Sequence, residues 1–273
     1  MKSLIYYFFF INLFYYKSYC DNSFCHFMKI KEWIYKYKTW NNYKVIYTSI
    51  TNGYDNILNP EYINYDYDYI LFSDKYFNDS ETIWEFYPIP DEINSLNLSP
   101  AKVERYVKIN PHKCLPLKYN FSFYIDGNVI IKNDINLFMD KIKKQLGNFS
   151  FYIPKHPVRI CLFEEMKVVV ENNIDSIRNV FPQIEKFIKE GFPHNYGLPE
   201  ANILIRYHFN SNIIKLMESW WNIVKNGSHR DQLSFSYVAW KNNNTKFMYF
   251  DKNEYKEFFY KLQHLKMRNK KKN

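Results

Sequence analysis

Asp126-Gly127-Asn128 follows an apolar run and sets two oxygen-bearing side chains two positions apart. In extended backbone, residues i and i+2 project to the same side, so the Asp126 carboxylate and the Asn128 amide oxygen can converge. The glycine between them lets a ligand or the backbone come close. A hard cation such as Mn²⁺ or Mg²⁺ takes such oxygens, with a diphosphate completing its shell. The same residues are the usual ones of a turn at a strand end, and taken alone that turn is the commoner reading. Arg105 and Lys108 lie three apart and share a helix face that could hold a phosphate or carboxylate; the competing reading is a solvated face with a Glu104–Lys108 pair. Around His229-Arg230-Asp231, Ser228 and Asp231 read equally as a capping box. Glu164 and Glu165 are adjacent, so at most one of them faces a site. His264 falls in what reads as an aromatic, basic C-terminal helix, where a packed or surface histidine is commoner than a ligand.

Other chemistries are disfavoured. The six glycines form neither GxGxxG nor GxxxxGK[ST], and neither HExxH nor GxSxG occurs. The four cysteines (Cys20, Cys25, Cys114, Cys161) have no CxxC spacing, so neither a zinc nor a redox motif is indicated.

The elements that must position these residues alternate between strand and helix. Residues 44–50 and 67–72 read as strands closing on Thr51-Asn52-Gly53 and Ser73-Asp74. Residues 84–89 suggest a third, short strand. Ser99-Pro100 supplies an N-cap and an N1 proline for a helix that Pro111 ends. Phe121, Phe123 and Ile125 share one face of a strand running into Asp126. Later, residues 201–207 are strand-like, Ser211 is the expected cap of a helix carrying Trp220 and Trp221, and residues 233–240 read as another helix. No repeat and no Pro/Gly/Ser linker divides the chain, which predicts a single three-layer α/β domain.

Hydrophobic residues at 47% and charged residues at 24% exclude wholesale disorder. The 21% aromatic share, with 26 Tyr and 24 Phe, follows the A/T-rich codon bias that also swells Lys, Asn and Ile, so aromatic stretches carry little functional weight. The net charge of +9 owes five cations to the last eight residues, and only six arginines occur, so nucleic-acid binding is disfavoured. At the N-terminus, Lys2, the apolar residues 4–16 and Ser18-Tyr19-Cys20 have the layout of a secretory signal peptide. An uncleaved anchor and a start at Met28 are the alternatives. The organisation read from this is a leader or short anchor at 1–20, a connector at 21–42, the main domain at 43–265 and a basic tail at 266–273. Membrane association would run through the leader or the tail. The route is the secretory pathway and a Golgi-like lumen or membrane, with a cytoplasmic product as the alternative.

In this order, Tyr47-Thr48-Ser49-Ile50, Gly53-Tyr54-Asp55, Trp84-Glu85, Arg105-x-x-Lys108-x-x-Pro111-His112, Ile125-Asp126-Gly127-Asn128, His156-Pro157-x-Arg159-x-Cys161-x-x-Glu164-Glu165, Gly197-Leu198-x-Glu200, Arg206, His208, Trp220-Trp221 and Arg230-Asp231-Gln232-Leu233 form one series. It resembles the glycosyltransferase-like family of plant mucilage and turgor-regulation proteins. The resemblance implies a GT-A-like fold with a mainly parallel central sheet, a nucleotide-sugar donor, a glycan, protein or lipid acceptor, and Mn²⁺ or Mg²⁺. Asp126 and Asn128 stand where such enzymes carry Asp-x-Asp, the asparagine being a departure, and His264 is the candidate for a further metal ligand. Thr48, Tyr54, Asp74, Arg105, Lys108 and Arg230 are the expected donor contacts. Glu200 and Asp231 are the candidates for sugar binding or for the base that deprotonates the acceptor. A sugar- or nucleotide-binding protein without turnover and a ceramidase-like lipid amidase are the alternative functions.

Overall fold

The computed structural model describes residues 43–75, 82–243 and 245–264. The leader, the connector and the basic tail read from the sequence lie outside them. From Tyr43 the chain is one compact unit.

Its elements are β1 (Lys44–Ile50), β2 (Asp68–Ser73), β3 (Glu85–Pro88), α1 (Asp91–Asn94), α2 (Pro100–Ile109), α3 (Pro111–Cys114), β4 (Phe121–Ile125) and β5 (Val129–Ile131). There follow α4 (Ile135–Leu146), β6 (Phe151–Pro154), α5 (Leu162–Glu171), α6 (Ile177–Lys189), β7 (Ile203–Arg206), α7 (Ser211–Asn226), α8 (Gln232–Lys241), β8 (Met248–Phe250), α9 (Lys252–Tyr255) and β9 (Phe259–Lys261). The main sheet has the order β3-β2-β1-β4-β7-β6-β8, and β5 pairs with β9 in a separate ribbon. Only β7 runs against its neighbours; every other pairing in the main sheet is parallel.

A mainly parallel sheet covered on both faces needs strands that are apolar on both sides. Accordingly Val45 and Tyr47 of β1 enter one core with α2, α5, α6, α7 and α8, while Ile46 and Ile50 enter the other with α4 and the β5–β9 ribbon. Phe121, Phe123 and Ile125 share the second core, as their alternation predicts. The three-layer α/β fold class expected from the sequence is therefore the one observed.

Local signals account for the helix carrying Arg105 and Lys108. The Ser99 side chain accepts from Lys102 N, Pro100 occupies the first turn, and Asn110 before Pro111 ends the helix. Three local expectations differ. Asn210, not Ser211, caps α7, because its amide oxygen reaches the backbone N–H groups of Asn212 and Ile213. Asp231 caps α8 alone through Gln232 N, since the Ser228 hydroxyl is engaged by Asp175 at 2.6 Å. His264 is not in a helix: Phe258 and Phe259 are drawn into the second core, and β9 pairs with β5, leaving His264 in irregular chain beyond it.

The His112 side chain is 6% exposed and His208 is fully buried. Desolvation, joined at His208 by the Arg206 charge, holds His208 at about 3, and desolvation holds His112 at about 4. The unfolded chain protonates both near 6.5, so between that pH and about 3 it binds more protons than the native state. Stability fully present above pH 6.5 is therefore lost as pH falls through this window. Urea midpoints are expected to hold level from pH 7.5 to about 6.5 and to fall from there to pH 4, and His208→Gln is expected to flatten that fall.

Candidate functional site

The C-terminal ends of β1 and β4, the last turn of α2 and the first turn of α8 converge on a buried ion-pair group. The Lys108 ammonium lies 2.7 Å from Asp231 Oδ2 and 3.2 Å from Asp126 Oδ1, and its side chain is only 2% exposed. Arg105 Nε is 3.2 Å from the same Asp231 oxygen, and Arg105 also pairs with its neighbour Glu104. The expected Glu104–Lys108 pair is not formed: Glu104 accepts from the Tyr124 hydroxyl at 2.7 Å instead. The Tyr124 ring lies under the Lys108 ammonium, 5.2 Å from its centroid.

Burial by itself would raise both aspartates, but the Lys108 and Arg105 charges outweigh it and lower Asp126, and with Arg230 they hold Asp231 well below the usual carboxylate range. Trp220 of α7 donates to the Asp231 carbonyl at 3.0 Å and so fixes the start of α8.

Asp126-Gly127-Asn128 forms the tight turn from β4 into β5, closed by Val129 N on Asp126 O at 2.9 Å. A Cβ on Gly127 would come within 2.9 Å of Ile50 Cγ1, so what the glycine admits is the end of β1. The β5–β9 pairing then brings the C-terminal chain to the turn. Leu262 N donates to Asn128 O at 2.8 Å, and Asn128 Nδ2 donates to Leu262 O at 2.6 Å. His264 Nε2 is 3.4 Å from Asn128 Nδ2, while its Nδ1 faces Asp55 Oδ2 at 2.7 Å. Asn128 Oδ1 is buried with no hydrogen-bond partner among the described residues.

The remaining predicted residues fall as follows. The Thr48 hydroxyl is buried with no partner among the described residues, and Thr48 lines a narrow cleft with Ile50, Trp84, Asp126 and Gly127. The Tyr54 ring packs 4.9 Å from the His264 ring. Asp74 is apart from this group; its Oδ2 accepts from Asn52 N at 2.8 Å and braces the turn after β1. Glu200 accepts from the Tyr255 hydroxyl at 3.1 Å and pairs with Lys261 at 3.2 Å. Arg230 donates to Gln232 Oε1 at 2.6 Å and faces Glu165.

Sequence reasoning missed Asp55 and Lys261 as parts of this region, and it left open which of Glu164 and Glu165 belongs to it. The structure settles that choice: Glu165 is buried while Glu164 is exposed. Lys261 carried no sequence signal, since only the ribbon pairing brings it here.

Residues 93–264 match the family described as "TOD1/MUCI70, glycosyltransferase-like domain". The matched span leaves out Thr48, Tyr54 and Asp74. No curated protein matches the sequence. Among solved structures, the apo form of mouse xyloside xylosyltransferase 1 aligns over 77% of this chain and 85% of its own, at 10% identity and a TM-score of 0.42. The apo bifunctional glycosyltransferase WbbM aligns over 76% of this chain and 39% of its own, at 13% identity and a TM-score of 0.43. The galactosyltransferase LgtC, in complex with donor and acceptor sugar analogs, aligns over 76% of this chain and 72% of its own, at 9% identity and a TM-score of 0.38.

Removing one carboxylate from the buried group leaves a cation short of its partner, which typically costs about 3–5 kcal/mol. Asp231→Asn is therefore expected to lower the unfolding free energy by about that much in urea titrations. Glu200→Gln, whose partner Lys261 is 45% exposed, is expected to cost under about 1 kcal/mol. Equal losses in the two variants would contradict this account of the group.

Proposed function

The chain belongs to the TOD1/MUCI70 glycosyltransferase-like family, and from that premise we propose that it transfers a sugar from a nucleotide-sugar donor to a glycan, protein or lipid acceptor. The observation that carries this reading is the juxtaposition of the buried Lys108–Arg105 cations with the Asp126-Gly127-Asn128 turn. Breaking the sugar–phosphate bond places negative charge on a departing nucleoside diphosphate. Preorganised cations in a water-poor site stabilise that charge without reorganising.

The donor set for a divalent ion would be the Asp126 carboxylate, the unpartnered Asn128 Oδ1 and the His264 imidazole, whose Nδ1 is oriented by Asp55. These atoms suit Mn²⁺ or Mg²⁺, and the buried amide oxygen without a partner is the observation in their favour. Among the described residues no group of three or more His, Cys, Asp and Glu could hold an ion, so the set depends on that amide. A bound ion would supply Lewis-acid charge stabilisation at the diphosphate.

Of the two carboxylates expected to act as base, Asp231 is poorly suited. Three cations hold it far below the range in which a base works near neutral pH. In this reading Asp231 positions Arg105 and Lys108, and Glu200, with 15% of its side chain exposed, binds a sugar hydroxyl or takes the acceptor proton. Thr48 and Tyr54 bracket the nucleotide at the end of β1, and Asp74 supports them by bracing the turn they flank. The leader read from the sequence supports a secretory route; among the described residues no helix is long and apolar enough to cross a membrane. A binding protein without turnover is the second reading, favoured by the amide at Asn128 where a second carboxylate would serve a metal better.

A panel of nucleotide sugars screened by thermal shift with Mn²⁺ tests the proposal. One donor is expected to raise the melting temperature, since ligand at a hundredfold excess over Kd adds about 2.7 kcal/mol. Asp126→Ala should abolish the Mn²⁺-dependent part, and Asn128→Asp should lower the Mn²⁺ concentration needed. No stabilising donor, or a Mn²⁺ effect untouched by both variants, would sink the reading. Donor binding without sugar release or transfer would favour the second one.

A further inference from the structure

His229 precedes Arg230 and Asp231 in the connection between α7 and α8, and the transfer proposed above gives it no part. Its Nδ1 lies 2.9 Å from Oδ2 of Asp175, which comes from the connection between α5 and α6. The Asp175 side chain is 4% exposed and is held by four donors. Ser176 N at 2.7 Å and Asn179 Nδ2 at 3.0 Å meet Oδ1, while the Ser228 hydroxyl at 2.6 Å and His229 N at 2.9 Å meet Oδ2. Burial alone would raise this carboxyl, but its hydrogen bonds outweigh burial and lower it, so it stays ionised. An oxygen that can only accept therefore faces Nδ1, which places the ring proton there and leaves Nε2 as the acceptor. Among the described residues Nε2 has no hydrogen-bond partner, and a quarter of the side chain is exposed.

The pair stands at the mouth of the site. The Tyr47 hydroxyl of β1 reaches the Lys108 carbonyl, and the Thr51 hydroxyl just beyond β1 reaches that of Pro100. Helix α2 thus runs against β1, with its first turn at the sheet edge where Asp126 lies. Lys108, Arg105 and Lys102 climb the helix toward that edge; Arg105 meets Asp231, and Lys102 lies in the field of Asp175. His229 stands among the charges of Asp175, Arg105, Arg230 and Asp231. Burial first, aided by the two arginines and opposed by Asp175, lowers the imidazole from its ordinary value near 6.5, so it is neutral at pH 7. Neither expected carboxylate offers as much: three cations hold Asp231 down, and Glu200 is engaged by Tyr255 and Lys261.

We propose that His229, oriented by Asp175, is the catalytic base that takes the acceptor's proton. The inference rests on the glycosyl-transfer reading and makes the transfer a single displacement. The acceptor hydroxyl gives its proton to Nε2 as its oxygen bonds to the anomeric carbon. The bond from that carbon to the diphosphate breaks, and its electron pair leaves on the diphosphate. Asp175 stabilises the imidazolium until its proton passes to solvent at the exposed edge of the ring. Glu200 is then left to bind a sugar hydroxyl, and the anomeric configuration inverts.

The test uses the full chain, Mn²⁺, the nucleotide sugar that raises the melting temperature most, and water as the acceptor. Proton NMR follows the free sugar released and reads its first-formed anomer. Release is expected to be level near pH 7 to 8 and to fall only below about pH 6.5, where the imidazole becomes protonated. His229→Asn is expected to cut release about a hundredfold, to remove that acid limb and to leave nucleotide-sugar affinity unchanged. Added imidazole should restore part of the rate to His229→Ala. Unchanged release in His229→Asn, or sugar released in the donor's own configuration, overturns the inference while glycosyl transfer stands. A loss of nucleotide-sugar affinity as large as the loss of rate overturns it as well, by making His229 a binding residue. Donor binding with no release from the unaltered chain at any pH overturns the transfer reading and this inference together.

Discussion

A lysine ammonium taken out of water costs several kcal/mol unless oppositely charged groups meet it at close range, and the Lys108 environment is organised around that requirement. Asp126 comes from the end of β4 and Asp231 from the start of α8, so the pairing ties the sheet to two helices on one of its faces. The helix that delivers Lys108 is itself held from below. Arg206, fully buried on β7, donates to Lys108 O at 2.8 Å and to Ile109 O at 3.4 Å, and the Tyr47 hydroxyl donates to Lys108 O at 2.9 Å. A cation at the C-terminal carbonyls of a helix is favourably placed with respect to the helix dipole. One buried cation thus fixes the backbone from which a second reaches the site.

The β5–β9 ribbon does a different job. It adds Val129, Ile131 and Phe259 to the second core, and it also decides which distant residues become neighbours. Val129 pairs with Lys261 and Ile131 with Phe259, so the three residues that follow β9 must pass Asn128. The backbone exchange between Asn128 and Leu262 holds that passage, and Asp55 fixes the histidine that arrives there. Side-chain order at the turn comes from a segment more than a hundred residues further along the chain.

These two devices separate what was legible in the sequence from what was not. Capping and spacing are local, so Ser99-Pro100 announced α2, and the three-residue offset put Arg105 and Lys108 on one face. The apolar runs announced the strands because a sheet covered on both faces demands them. The Asp126-Gly127-Asn128 turn was visible as geometry, because Asp, Gly and Asn are the usual residues of a turn at a strand end, and the structure forms it. Partners are another matter. The occupant of the face carrying Lys108 is an aspartate 123 positions later, placed by a tryptophan bond to its carbonyl, and nothing local distinguishes it from an ordinary helix cap. Arg206 sits in an apolar strand as a charge with no local partner, and its role exists only through helix packing. His264 was read as helical because its neighbours are basic and aromatic, whereas burial of Phe258 and Phe259 sets their conformation.

Charge distribution joins the parts. Asp231 meets Arg105 and Lys108 directly and lies in the field of Arg230, which in turn faces Glu165 beside Arg159. The two clusters are therefore one network in which carboxylates and cations alternate. Lys108 and Glu165, both almost wholly buried, cannot relax by side-chain motion into solvent, so the network holds its geometry only while every member keeps its partner. The same pairs that tie α2, α5 and α8 together thus fix the electrostatics at the ends of β1 and β4 as part of the fold.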